Sequence, residues 1–165
     1  MGSGFTVKCE QCGFEKPFRL GIGFRYSPES VFYGKAAKPN WSTSFRDYDY
    51  EGREPLIASL IKDPALREEA LNLIRNGGLP DTDIHAYGHE IYSCQHCKGL
   101  NEEFYFRITT EEEIFEPKYK CPTCGHSQIC LHIGKGGKVD SRKIGELACP
   151  SCGKKLSTCG HLRWD

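Results

Sequence analysis

Between Asp63 and Gly77, apolar side chains recur every three or four positions, at Leu66, Ala70, Leu73 and Ile74, with charged residues between them. On a helix that spacing forms one apolar stripe that can dock on a sheet. Asp63 suits the N-cap, Pro64 the first helical position, Glu68 and Glu69 the early turns and Gly77 the stop, so a helix is predicted over 63–77. The apolar run Leu56 to Ile61 adds a short preceding helical turn. Strand-like runs stand elsewhere, at Phe5–Lys8, Phe18–Leu20, Glu90–Tyr92, Glu103–Thr109, Ile114–Phe115 and Lys118–Lys120. Residues 27–55 carry Phe32, Tyr33, Trp41, Phe45, Tyr48 and Tyr50 among Pro, Asp and Ser. So many aromatics predict an ordered loop packed on the strands rather than a linker.

The strand-like runs enter or leave cysteine pairs. Eight of the ten cysteines form four Cys-x-x-Cys knuckles, Cys9/Cys12, Cys94/Cys97, Cys121/Cys124 and Cys149/Cys152. Two thiolates separated by two residues can face one ion, because the turn between them aims both sulfurs inward together with backbone amides. Gly13, Gly125 and Gly153 close three of the turns; Lys98-Gly99 replaces the glycine in the other. Four pairs predict structural Zn2+ at two four-cysteine sites, since disulfide proteins rarely place every pair at this spacing. Two pairings are open. A sequential one joins Cys9, Cys12, Cys94 and Cys97, then Cys121, Cys124, Cys149 and Cys152. Its rival joins the second knuckle to the third and the first to the last. The sequential pairing is preferred, because each half then closes on itself and the chain need not be crossed end to end.

These signals predict a small metal-bound α+β fold, two zinc-ribbon (rubredoxin-like) β units with one helix in a long insertion. Residues 1–116 form a ribbon with an aromatic and helical insertion at about 24–88, and residues 117–165 a C-terminal basic ribbon. Charge sharpens the division. The net charge is zero, but residues 1–117 hold 13 Lys/Arg against 19 Asp/Glu, and residues 118–165 hold 9 against 3.

Gly4-Phe5-Thr-Val-Lys-Cys9-Glu-Gln-Cys12-Gly13, Leu20-Gly-Ile-Gly-Phe24 and Ile91-Tyr-Ser-Cys94-Gln-His-Cys97 resemble small bacterial zinc-ribbon proteins of uncharacterised function, over roughly residues 4–107. The resemblance implies the sequential pairing. Cys121-Pro-Thr-Cys-Gly125 and Cys149-Pro-Ser-Cys-Gly153 look like a generic zinc ribbon. Each of these last knuckles precedes a Cys-x-His, Cys130-Leu-His132 and Cys159-Gly-His161. On strands, each Cys and His would share a face, which permits a third ion held by two cysteines and two histidines. The plainer reading makes Cys130 a core thiol and the histidines surface or packing residues.

No catalytic site is expected. Four-cysteine zinc is closed, whereas catalytic zinc keeps an open position, and none of the knuckles precedes the helical pattern that redox use requires. The alternative is a metal-dependent enzyme built on His85 and His89, with Asp81, Asp83 and Glu90 near them in sequence, although the Pro/Gly-flanked context argues against a helix aligning the two histidines. The expected role is a binding or adaptor module. One partner class is nucleic acid, met by Lys118, Lys120, Lys135, Lys138, Arg142, Lys143, Lys154, Lys155 and Arg163, with Tyr119 and Trp164 available for stacking. The other is a protein met by the aromatic insertion. The N-terminus lacks a signal-peptide pattern and no segment reaches a membrane span, so a cytoplasmic location without membrane contact is expected.

Overall fold

A computed structural model of the chain describes residues 2–23, 26–34, 54–83, 85–133 and 140–164. Trp41, Phe45, Tyr48, Tyr50, Lys135 and Lys138 lie outside the described residues. The architecture is α+β, with three small three-stranded sheets and short helices among the described residues.

The first sheet begins with β1 (Gly2–Lys8) and β2 (Glu15–Leu20), an antiparallel hairpin around the first knuckle. Phe5, Val7, Phe18 and Leu20 are buried and alternate with more exposed residues. Phe5 lies opposite Phe18, with ring centroids 6.3 Å apart. β2 is an edge, which accommodates Pro17 and its missing amide donor. The other edge is β9 (Ser157–Trp164), which runs antiparallel to β1 from Lys8↔Ser157 to Gly2↔Trp164.

The second sheet centres on β4 (Gly88–Cys94), flanked by β5 (Leu100–Tyr105) and β8 (Gln128–Cys130), both antiparallel to it. The third joins β3 (Leu79–Pro80), β6 (Ile108–Thr109) and β7 (Ile114–Phe115). No strand forms at 118–120, where only a single Lys120↔Ser127 bridge is present.

The predicted helix is α3 (Pro64–Arg75). Asp63 Oδ1 accepts from the amides of Ala65 at 2.9 Å and Leu66 at 3.4 Å. Its buried face is Leu66, Ala70 and Leu71, with Leu73 and Ile74 packed at the margin. Among the described residues the insertion holds two further helices. The short α2 (Ile57–Leu60) stands where a turn is predicted. The extra one is α1 (Pro28–Tyr33), in a stretch expected to be a loop: Ser27 Oγ caps the Ser30 amide and Pro28 opens the turn. It buries Val31 and Phe32, so Phe32 is core rather than part of an exposed partner surface. A fourth helix, α4 (Ser141–Gly145), lies beyond the insertion, capped by Asp140. The expectation of one helix is thus corrected by local capping that overrode a loop-like composition. Among the described residues, no helix is long and apolar enough to cross a membrane.

Two apolar clusters result among the described residues. One gathers α1, α2 and α3 against Tyr87, Tyr92, Phe104, Phe106, Ile108 and Tyr119. The other lies between the first two sheets and includes Phe5, Val7, Ile91, Leu100, Ile133, Ile144 and Leu156, together with Cys9 and Cys149. Those sheets cross where Gly21 and His89 exchange backbone hydrogen bonds of 2.9 and 2.8 Å. Gly88, with φ +145°, makes the crossing possible: a Cβ there would stand 2.7 Å from the Gly21 carbonyl carbon. Gly88→Ala therefore adds overpacking to backbone strain and is expected to cost about 3 kcal/mol or more in denaturant unfolding of metal-loaded protein. Gly21→Ala is the control. Its φ is also positive but no atom lies within 4 Å of the added Cβ, so the cost should be about 1–2 kcal/mol.

Glu102 on β5 ties the same two sheets together. It accepts from the Arg19 amide at 2.7 Å and from Arg19 Nε at 2.9 Å, while His89 Nδ1 lies 3.3 Å from Oε1. Burial raises its carboxyl, but the bonds from His89 and Arg19 outweigh this and hold it at about 2. A carboxylate depressed in the folded state stabilises above its unfolded value of about 4.3, and loses that contribution as pH falls toward 2. Glu102→Gln should cost about 1–3 kcal/mol at pH 7. The gap between wild-type and variant urea midpoints should narrow below about pH 4.5; a constant gap would show that the charge is immaterial.

Candidate metal centres

All four knuckles close in the same way. The first cysteine amide donates to the carbonyl five residues on, and the amide four residues on donates back to the first cysteine carbonyl. The pairs are Cys9/Phe14 with Gly13, Cys94/Gly99 with Lys98, Cys121/His126 with Gly125 and Cys149/Lys154 with Gly153, at 2.7–3.1 Å. The returning residue needs a left-handed backbone, which glycine supplies at φ +73°, +73° and +74° in three of them. In the second knuckle Lys98 adopts it at φ +59°, so the sequence departure is absorbed without changing the turn.

The knuckles meet as Cys9, Cys12, Cys149 and Cys152 at one centre and Cys94, Cys97, Cys121 and Cys124 at the other, each a group with sulfurs within 4.8 Å of one another. This corrects the sequential pairing. Strand pairing is the cause. β1 runs into the first knuckle and β9 leaves the last, so their antiparallel register sets Cys9 beside Cys152 at 3.5 Å and Cys12 beside Cys149 at 3.6 Å. β4 runs into the second knuckle and β8 leaves the third, with Cys94 opposite Gln128. That places Cys94 3.5 Å from Cys124 and Cys97 3.5 Å from Cys121. Both centres therefore draw one knuckle from each side of residue 117.

The donor sets fit zinc. Tetrahedral ligation with Zn–S of about 2.3 Å implies sulfurs about 3.8 Å apart, close to the separations here. Amides prepare part of the charge. Burial raises the Cys121 and Cys149 thiols, but the amides of Thr123 and Cys124, and of Ser151 and Cys152, lower them to about 6 and about 7. Cys12 and Cys124 respond oppositely. The amides of Phe14 and His126 lower them, yet burial and the adjacent sulfurs prevail and push both up to about 12. Four neighbouring thiols resist complete ionisation without a cation, which is the deficit a divalent ion fills.

The remaining sequence candidates do not converge. Cys130 and His132 stand 3.6 Å apart beside β4, whereas Cys159 and His161 lie exposed on β9. Among the described residues these four form no common ligand group. Burial pushes the Cys130 thiol up to about 12, consistent with a packing role. His85 is exposed, with its amide donating to Asp83 Oδ1 at 2.9 Å, while Asp81 pairs with Arg107 at 2.9 Å. His89 is buried against Glu102 and the Phe104 ring. Tyr119 is also buried, its hydroxyl donating to the Phe104 carbonyl at 2.7 Å, and is therefore not available for stacking.

Sequence reasoning missed His96 and His126. They stack with centroids 4.0 Å apart and an interplanar angle of 3°, and group with Cys124 as potential ligands. Their signal was positional, one histidine just before Cys97 and one two residues after Cys124, but it acquires meaning only when those knuckles face each other. Comparison with protein families, characterised proteins and solved structures yields no match for this chain.

Proposed function

We propose that this chain is a zinc protein of zinc-ribbon type whose two ions, each held by four cysteines, are structural, and that the scaffold they hold acts as a non-enzymatic binding module for a protein or nucleic-acid partner. The convergence of four cysteine sulfurs at each centre is the observation that carries this reading, because an ion held by four thiolates has no ligand position left for substrate. Lys118, Lys120, Arg142, Lys143, Lys154, Lys155 and Arg163 are all exposed, which favours an anionic partner. Zinc analysis of native protein, together with cobalt substitution, tests the metal assignment: two tetrahedral, thiolate-rich sites are expected, and a metal-free folded protein would refute them. Titration of the full chain with single-stranded nucleic acid across a salt series tests the partner. Affinity should fall steeply with salt, and no binding at low salt would leave the protein partner as the reading.

A further inference from the structure

Cys94 and Cys121 are buried in their centre, whereas Cys124 is half-buried and lies against two exposed imidazoles. One ring nitrogen of His96, one of His126 and Cys124 Sγ lie within 4.8 Å of one another. His126 Nδ1 is 3.1 Å from the Cys124 carbonyl oxygen. A carbonyl can only accept, so in the neutral ring Nδ1 carries the proton and Nε2 is the nitrogen left to ligate. Metal-bound histidines are commonly oriented in this way, one nitrogen donating to a backbone carbonyl while the other faces the ion.

We infer that His96, His126 and the Cys124 thiolate form a second, exposed zinc site that shares Cys124 with the buried ion. The inference rests on the proposed zinc at Cys94, Cys97, Cys121 and Cys124, which keeps Cys124 ionised. A thiolate bound to one ion retains lone pairs that can bridge to another, and two imidazoles with a thiolate are a donor set suited to zinc. Three protein donors at an exposed position leave one place for water, so this ion is the exchangeable one. The parallel rings must tilt apart to aim both lone pairs at one ion, a movement open to two exposed side chains.

The test is zinc binding by full-length, untagged protein under equilibrium dialysis, with metal and protein quantified independently. Wild type should hold three zinc ions and the His96→Ala/His126→Ala double variant two. Cadmium-113 NMR of the wild type should give three resonances, two of them coupled through the shared Cys124 sulfur, and the double variant should lose the coupling. Two ions in both proteins overturn this site and leave the four-cysteine centres standing. Three ions in both overturn the assignment to these histidines. Fewer than two in the wild type overturn this inference together with the zinc reading on which it rests. Fewer than two in the variant alone also overturn it, since the stacked rings would then serve the four-cysteine scaffold itself.

Discussion

Zinc-loaded protein treated with a strong chelator is expected to lose its cooperatively folded state, with collapse of amide dispersion in the NMR spectrum and of near-ultraviolet circular dichroism. A structural zinc in a small domain contributes about 10–16 kcal/mol of apparent binding free energy at pH 7, while whole domains are stable by only about 5–15 kcal/mol. Losing either ion therefore removes a quantity comparable to the entire stability. The location of the ligands makes the effect global. Cys9 and Cys149 are buried members of the apolar cluster between the first two sheets, and Cys9 and Cys152 are 143 positions apart. That centre clasps β1 to β9, while the other clasps β4 to β8. Re-addition of zinc should restore dispersion. A chelated protein that keeps its dispersed spectrum would mean that packing alone carries the fold.

Residues 117–165 produced alone should neither fold nor hold zinc at a four-thiolate site. The fragment keeps Cys121, Cys124, Cys149 and Cys152, but in the structure these belong to two different centres. β9 would lose β1, and β8 would lose β4. Mixing the fragment with residues 1–116 and zinc should recover the cobalt or zinc signature of both centres, because each fragment supplies two ligands to each. An isolated fragment that binds one zinc tightly and gives a dispersed spectrum would reinstate the sequential pairing in solution.

The knuckles were legible because each is local: six residues close two backbone hydrogen bonds whatever lies beyond them. The Asp63–Pro64 helix start was legible for the same reason, since the cap and the first turn are contiguous. α1 was missed although Ser27-Pro28 is also a start signal, because its six residues leave little apolar periodicity to read. The buried positions of Phe32 and Tyr119 came from contacts with distant segments, such as Phe32 with Tyr87 and Tyr119 with Phe104. Composition alone had left Tyr119 available as a surface aromatic.

The pairing of the knuckles was beyond local reading for an energetic reason. Four nearly equivalent turns offer the same donors, and preference for the shorter connection is weak, because loop-closure cost grows only by about 0.6 kcal/mol per doubling of length. Closing the chain from Cys9 to Cys152 rather than from Cys9 to Cys94 costs less than one such doubling. The seven-residue β1 pairing with β9 readily outweighs it. The amino-acid sequence therefore settled which sulfurs pair within a knuckle and how each turn is built, since those depend on neighbours a few residues apart. Which sulfurs share a centre, and that His96 meets His126 beside Cys124, were decided by strand register across the whole chain, where many weak contacts act together and no single motif records the choice.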